Sequence, residues 1–284
     1  MRKDEKMGFK CCTFLVVLTL LLECSSERRY LPGELIFEKK LDTWGYHQLM
    51  DPRIIGQDSV LFSEYLSEEQ SGMWLYLLNL KTGDAQELTF EKISNPDYAD
   101  FSSGILVACT ETFGPIEVMF PDGHSEWVDG IHPSFNDDGT AFVYEHLGDI
   151  FIYDLKTKKS RLLYDQGPFN HSPDWDGGTI YFYQQMYSDE KESYIQSMHA
   201  SGGEVTDLTD GTYSDHFPRA DQECVAFVRI VEDPDNPEDQ ERYVVVHQGK
   251  EQIHSVRADA TTCDIMGDYI VYTYSNQLYR YKWR

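Results

Sequence analysis

The stretch His132-Pro133-Ser134-Phe135-Asn136-Asp137-Asp138-Gly139-Thr140-Ala141-Phe142-Val143-Tyr144 is the clearest copy of a phrase that recurs along the chain. The phrase consists of a proline, a short gap, an Asp/Gly turn and an apolar run. A second run follows and ends here in Asp154-Leu155-Lys156-Thr157. The copies are anchored on Pro52, Pro96, Pro133, Pro173 and Pro218, at spacings of 37 to 45 residues. A repeat of this length is typical of propellers and solenoids.

Each copy predicts four strands. The run after the turn is continuously apolar, as at Val225-Ala226-Phe227-Val228, which is typical of a strand buried on both faces. An alternating run such as Ile150-Phe151-Ile152-Tyr153 comes next, followed by a turn such as Ser201-Gly202-Gly203-Glu204 and an outer strand. Four short antiparallel strands per copy indicate the blade of a β-propeller.

The two ends of the chain complement each other. A sixth copy at 268–282 contains two strand runs and lacks an outer strand, whereas a spare strand run lies at Gly33–Leu41. Pairing them would close the ring and remove its exposed edges. We therefore predict an all-β fold over residues 27–284, namely a six-bladed β-propeller of four-stranded antiparallel blades that is closed by an N-terminal strand.

Residues 1–26 have the composition of a leader. A basic start precedes the apolar run Cys12–Leu22, which is too short to span a bilayer. Two readings are favoured over an uncleaved anchor, namely a signal peptide cleaved after Ser26 or a lipoprotein leader with Cys24 as the lipidated residue. Glu23 occupies the position where a lipobox has a small residue. Both readings predict export, to the periplasm or an outer-membrane anchor, or alternatively secretion.

The net charge of the chain limits the classes of partner, and its cysteines limit the covalent and metal sites that it could form. The net charge of −25 repels phosphate backbones and anionic lipids. We therefore expect a monomer with a protein or peptide partner in the envelope, no nucleic acid, and membrane contact only through a lipid anchor. Beyond the leader the cysteines are Cys109, Cys224 and Cys263, whose odd number and apolar surroundings predict small buried side chains rather than disulfides or a zinc site.

The runs Phe135–Val143 and Ile152–Thr157 resemble the TolB-type, WD-like propeller repeat. This repeat also occurs in oligogalacturonate lyases and in the propellers of prolyl oligopeptidases, so the resemblance implies the fold much more specifically than the function. A peptidase is not supported, because Gly123-His124-Ser125-Glu126-Trp127 lacks the second glycine of a nucleophile elbow. TolB itself is not matched, because it has an extra N-terminal domain and only residues 27–32 precede the first strand here.

Three histidines, His132, His171 and His216, lie one or two residues before the prolines of consecutive copies. That position begins an inner strand, so we expect their rings near one mouth of the central channel. Three imidazoles there could bind a divalent metal, the only cofactor that the sequence suggests, and Asp129 and Asp215 could orient them. The resemblance supports this, because oligogalacturonate lyases use channel histidines around a metal. The alternative is that the rings are solvated polar groups at the strand starts of a water-filled channel.

Two functions follow from these patterns. The first is an exported, non-enzymatic scaffold that binds a protein or peptide at a channel mouth, with no catalytic residues. The alternative is a metal-dependent, carbohydrate-active enzyme similar to oligogalacturonate lyases, built on His132, His171 and His216. The lack of a complete catalytic motif and the acidic composition favour the scaffold.

Overall fold

Short strands joined by tight turns make up the part of the chain that the structure describes. The structure, a computed structural model, describes residues 32–38, 47–66, 72–88, 97–110, 114–165, 169–185, 193–233 and 236–284. The leader predicted at 1–26, with Cys24, lies outside these residues. No helix within the described ranges is long and apolar enough to cross a membrane.

The strands alternate with turns from one end of the described chain to the other. In chain order they are β1 (Glu34–Glu38), β2 (His47–Ile55), β3 (Ser59–Leu66), β4 (Gly72–Asn79), β5 (Ala85–Leu88), β6 (Asp97–Ser102), β7 (Ile105–Cys109), β8 (Ile116–Met119), β9 (Ser125–Val128), β10 (Ile131–Phe135), β11 (Ala141–His146), β12 (Asp149–Asp154), β13 (Lys159–Tyr164), β14 (Phe169–Asp176), β15 (Thr179–Gln185), β16 (Ser193–His199), β17 (Val205–Asp207), β18 (Ser214–Asp221), β19 (Cys224–Asp233), β20 (Asn236–Gln248), β21 (Glu251–Arg257), β22 (Cys263–Met266), β23 (Tyr269–Tyr274) and β24 (Gln277–Lys282).

The fold is an all-β propeller, but the prediction of six separate four-stranded blades is wrong. Four sheets have four strands each: β2–β5, β6–β9, β10–β13, and β22–β24 with β1. The remaining eight strands, β14–β21, form one sheet. Its two antiparallel halves, β14–β17 and β18–β21, are joined because Ser193 of β16 pairs in parallel with Ser214 of β18. This backbone pairing links two copies of the repeat, so the pattern within a single copy contains no sign of it.

The predicted closure by an N-terminal strand is confirmed. Strand β1 pairs antiparallel with β24, with Glu34 opposite Arg280, and so completes the last sheet. The predicted residues 39–41 of this strand lie outside the described part of the chain. Gly33 permits the close approach, because its φ is +104° and a Cβ there would lie 2.5 Å from the Arg280 carbonyl oxygen.

The first strands of the repeat units form a closed ring. Strands β2, β6, β10, β14, β18 and β22 each contact the next in this order, and β22 contacts β2. Apolar side chains between adjacent sheets make the core, as where Phe142 and Tyr144 of β11 pack against Val107 and Val118. As predicted, Cys109, Cys224 and Cys263 are buried and unbridged. This stacking positions the start of every ring strand at one end of a central channel.

A β-bulge recurs in five strands of the ring and explains the proline of the repeat. In each of β2, β6, β10, β14 and β18, two residues oppose one residue of the next strand. The second of these residues is proline in all but β6, where it is Ala99. Proline suits this position because it has no N–H to donate and the hydrogen-bond ladder is interrupted at the bulge. The first has positive φ in every case: Asp51, Tyr98, His132, Ser172 and Phe217.

Charged side chains cross the channel immediately after the bulge. Arg53 of β2 donates to Asp174 Oδ1 of β14 at 2.6 Å, and its guanidinium lies 3.6 Å from Asp100 and 3.9 Å from Asp264. Since β2 and β14 lie on opposite sides of the ring, this ion pair bridges the channel. Ser134 donates its hydroxyl to the same Asp174 oxygen at 2.8 Å. We call Arg53, Asp100, Ser134, Asp174, Arg219 and Asp264 the channel plug.

The plug carboxylates differ in how readily they ionise. Burial raises the pKa of Asp264 to about 6, because the Arg53 charge, which lowers it, offsets burial only in part and the Asp174 charge raises it further. Burial would also raise the pKa of Asp174, but the charges of Arg53 and Arg219 lower it overall. Asp174 is therefore the ionised partner of Arg53, whereas Asp264 is the carboxyl that takes up a proton most readily.

Candidate functional site

The candidate site is a cavity of about 530 Å³ at the mouth where the ring strands begin. Its centre is Glu145, near the end of β11 and opposite Ile131 of β10. Two of the predicted histidines donate to this carboxylate through Nδ1: His132 to Oε2 at 2.9 Å and His171 to Oε1 at 3.0 Å. The structure therefore joins His132 and His171 through an acidic residue that the sequence analysis did not single out.

Glu145 stays ionised in its buried position. Its side chain is only 5 % exposed, and burial alone would raise the pKa. The hydrogen bonds that His132 and His171 donate, together with the positive charge of either ring when it is protonated, outweigh burial and lower the pKa of Glu145 to about 2. The carboxylate thus fixes the orientation of both rings, and each ring has its Nε2 directed away from Glu145.

Aromatic rings form the walls around this pair. Tyr98 meets His132 edge to face with ring centroids 3.9 Å apart, and Tyr183 lies 5.2 Å from His171. Phe217 packs against Tyr183 at 5.8 Å. Tyr98, His132 and Phe217 are all first residues of the bulge, so the left-handed backbone at these positions directs bulge side chains to one cavity. Backbone strain of this kind is often found at functional sites.

His216 is separate from the carboxylate pair. It meets Tyr183 edge to face at 5.1 Å, and Ser193 Oγ lies 3.3 Å from its Nε2. Burial first, then the charges of Arg242 and His171, lower its pKa to about 4, so the ring is neutral near pH 7. The three histidines are brought to one end of the channel but do not share one partner.

The two predicted orienting carboxylates have different positions. Asp129 lines the cavity beside His132. Asp215 instead makes two hydrogen bonds with Arg229, from Nε at 2.7 Å and from Nη2 at 2.9 Å. Among the described residues, no three His, Cys, Asp or Glu side chains are grouped so that they could hold a metal ion.

The rim of the cavity contains an exposed apolar residue, Leu147. It and Gly148 form the two-residue loop between β11 and β12, with φ of +55° and +85°. Such loops favour Asn-Gly, because both residues need positive φ. A leucine is nevertheless found here, and its side chain is 88 % exposed. Positive φ costs a leucine free energy, and no buried contact of this side chain offsets that cost.

A second cavity, of about 520 Å³, lies between the two halves of the eight-stranded sheet. Tyr213 and Arg229 line it, and the Arg229 guanidinium lies 4.7 Å from the Tyr213 ring centroid. Arg229 is already paired with Asp215 and also donates to Gln252 at 3.2 Å. Arg229, the main cation of this cavity, thus already has hydrogen-bond partners within the protein. It is therefore less available to a ligand, so we take the cavity at the channel mouth as the candidate site.

Comparison with known proteins identifies the fold and no closer relative. No protein-family model matches the chain, and no curated protein matches it. Among solved structures, the putative TolB from Agrobacterium tumefaciens is similar at 15 % identity and a TM-score of 0.59, over 85 % of this chain and 99 % of that one. TolB from Acinetobacter baumannii is similar at 17 % identity and a TM-score of 0.56, over 71 % of this chain and 52 % of that one.

Other similar structures include enzymes. The β-propeller domain of the Trilobed protease from Pyrococcus furiosus, described with an open velcro topology, matches at 12 % identity and a TM-score of 0.54, over 83 % of this chain and 95 % of that one. In the present chain, β1 pairs with β24 and so completes the last sheet. The structural neighbours are thus TolB-like and other β-propeller proteins, and identities this low show the fold alone.

Proposed function

We propose that this chain is an exported, non-enzymatic propeller that binds a protein or peptide at the channel mouth around Glu145. Leu147 is the observation that carries the proposal. An exposed leucine in a turn that favours asparagine has no benefit for folding, whereas an apolar side chain beside a cavity is a typical contact for a partner. The composition of residues 1–26 supports export.

The surroundings of Leu147 fit this role. Strand pairing holds the β11–β12 loop at the rim, and the bulges hold Tyr98 and Phe217 in the wall. A rigid rim of this kind loses little conformational freedom when a partner binds. The likeness to TolB proteins supports a propeller scaffold and is silent on the partner.

Affinity capture with the full chain tests the proposal. We expect a protein from an envelope extract to be retained by the wild type and lost with Leu147→Asn, which keeps the turn favourable. Leu162→Asn is the matched control, because Leu162 is 45 % exposed and lies in β13, away from the cavity lining. Equal retention by both variants, or no retained protein together with degradation of a polysaccharide, would refute the scaffold role.

One observation favours the metal-dependent, carbohydrate-active alternative. A histidine that ligates a metal through Nε2 commonly donates Nδ1–H to a carboxylate, and both His132 and His171 have this arrangement with Glu145. Two imidazoles are fewer than the three protein ligands of a typical catalytic zinc site. Metal analysis of the full chain purified without chelator, beside the triple variant His132→Ala/His171→Ala/His216→Ala, decides the matter. Near-stoichiometric metal that the triple variant loses would favour the enzyme.

A further inference from the structure

We propose that the cavity around Glu145 binds an organic cation, an alkylammonium or guanidinium group, between its carboxylates and its aromatic walls. This inference deepens the proposed function and rests on it for the source of the cation, which would be a lysine or arginine side chain of the partner. Charge, hydrogen-bonding capacity and aromatic geometry each support it.

The charge of the cavity is negative. Glu145 and Asp129 contribute carboxylates, and the described residues that line the cavity include no lysine or arginine. Glu145 keeps its charge because two imidazole N–H groups donate to it. Because the described lining has two carboxylates and no lysine or arginine, it favours a cationic ligand over an anionic one.

The hydrogen-bonding groups point to a ligand that donates. His132 donates Nδ1–H to Glu145, so in the neutral ring Nε2 has a lone pair and acts as an acceptor. This nitrogen is buried without a hydrogen-bond partner, and the side chain is only 10 % exposed. An ammonium or guanidinium group has donors only, and could satisfy Nε2 after a small movement of the ring.

Three aromatic rings complete the cavity. Tyr98, Tyr183 and Phe217 all line it, and Phe217 and Tyr183 lie nearly perpendicular, with an interplanar angle of 73°. The faces of aromatic rings attract ammonium and guanidinium groups, and cavities that combine several rings with a carboxylate are a known way to hold them. Phenyl and phenol rings give a bare metal ion little coordination, so the walls favour an organic cation.

The test measures binding of matched probes to the full chain by calorimetry. The probes are acetyl-Gly-Lys-Gly-amide, its norleucine counterpart, and n-butylammonium beside n-pentanol. We expect the lysine peptide and n-butylammonium to bind. The affinity of each uncharged counterpart should be lower by a factor of about ten or more. Tighter binding of the peptide than of n-butylammonium would show that the cation arrives on a polypeptide, and the reverse would point to a small amine. Equal binding of the lysine and norleucine peptides would overturn the inference.

Variants locate the binding. Asp129→Asn changes an exposed carboxylate, so folding should be preserved, and we expect about a fivefold loss of affinity for the lysine peptide. Phe217→Leu should weaken binding about two- to fivefold through the lost ring face. Asp210→Asn is the matched control, an exposed carboxylate at the other cavity, and should change nothing. Equal effects of Asp129→Asn and Asp210→Asn would overturn the site.

The two proposals can fail separately. Lysine-selective binding without any captured protein would refute the scaffold role and support the cation site. A captured protein that Leu147→Asn releases, combined with no preference for lysine over norleucine, would refute the cation site and support the scaffold.

Discussion

Removing one partner of the ion pair that crosses the channel should cost much of the free energy of unfolding, and Arg53→Met is the variant that tests this. Methionine keeps most of the length of the side chain and removes the charge. In the wild type, the Arg53 side chain is 8 % exposed and that of Asp174 4 %. Asp174 also accepts the Ser134 hydroxyl at 2.8 Å and the Ala220 N–H at 2.7 Å, so it cannot turn away toward water.

The expected loss is large because it leaves a buried charge without its main partner. Removing one member of a buried ion pair typically costs about 3–5 kcal/mol. The free energy of unfolding of a domain is about 5–15 kcal/mol, so the loss would be about a fifth of it or more. Asp100, Asp174 and Asp264 would then have Arg219 as the one remaining cation of the plug. Acid should therefore restore part of the stability by protonating a carboxylate.

Urea unfolding, followed by the fluorescence of the five tryptophans, measures the effect at pH 7.5 and pH 5. The matched control is Lys81→Met, which removes an exposed ion pair with Asp58 and should cost less than about 1 kcal/mol. Adding Asp174→Leu to Arg53→Met should recover stability, because it removes the unpaired carboxylate. If Arg53→Met costs no more than Lys81→Met and acid gives no recovery, the plug is not a stabilising network.

Two further predictions concern the turn at Leu147 and the plug. Leu147→Asn should raise the free energy of unfolding by about 0.5–1 kcal/mol, because asparagine tolerates positive φ better than leucine. The melting temperature should rise by about 1–4 °C. The control variant Leu162→Asn should show no gain, and an equal gain in both variants would argue against strain at Leu147. Asp264→Asn should change the pH dependence of stability. The pKa of Asp264 is about 6 in the folded state and near 3.8 in the unfolded state, so the folded state binds the proton more tightly. The free energy of unfolding of the wild type therefore gains on the order of 2–3 kcal/mol from this residue as the pH falls from 7 to 4. Parallel pH profiles of wild type and Asp264→Asn would contradict this.

Much of the fold could be predicted because each copy of the repeat contains its own turns and apolar runs. In four of the five full copies the anchoring proline is the second residue of a bulge, whereas in the copy anchored on Pro96 the second bulge residue is Ala99. The most regular feature of the sequence thus marks the most irregular point of the ring strands. The parallel pairing of Ser193 with Ser214 could not be predicted, because it depends on how closely two neighbouring copies approach. That distance is set by packing between sheets and not by the pattern within one copy.

The site was only half predictable for a related reason. His171 and His216 lie two residues before their prolines, whereas His132 lies one residue before and is itself the first bulge residue. The three rings therefore start from two different backbone positions, and only His132 and His171 reach the same carboxylate. Glu145 ends an otherwise apolar strand and looks like an ordinary edge residue in the sequence. Its role depends on two strands that approach it from separate copies.

The bulge connects stability with binding at the channel mouth. Its first residue supplies Tyr98, His132 and Phe217 to the cavity, and the residue two positions later supplies five of the six residues of the channel plug, all but Asp264. The cavity and the plug are thus consecutive levels of the same strands. The ion pair of Arg53 and Asp174 lies two residues beyond the first bulge residues of β2 and β14. The ion pair thus links opposite strands of the ring at the level next to the bulge residues that line the cavity.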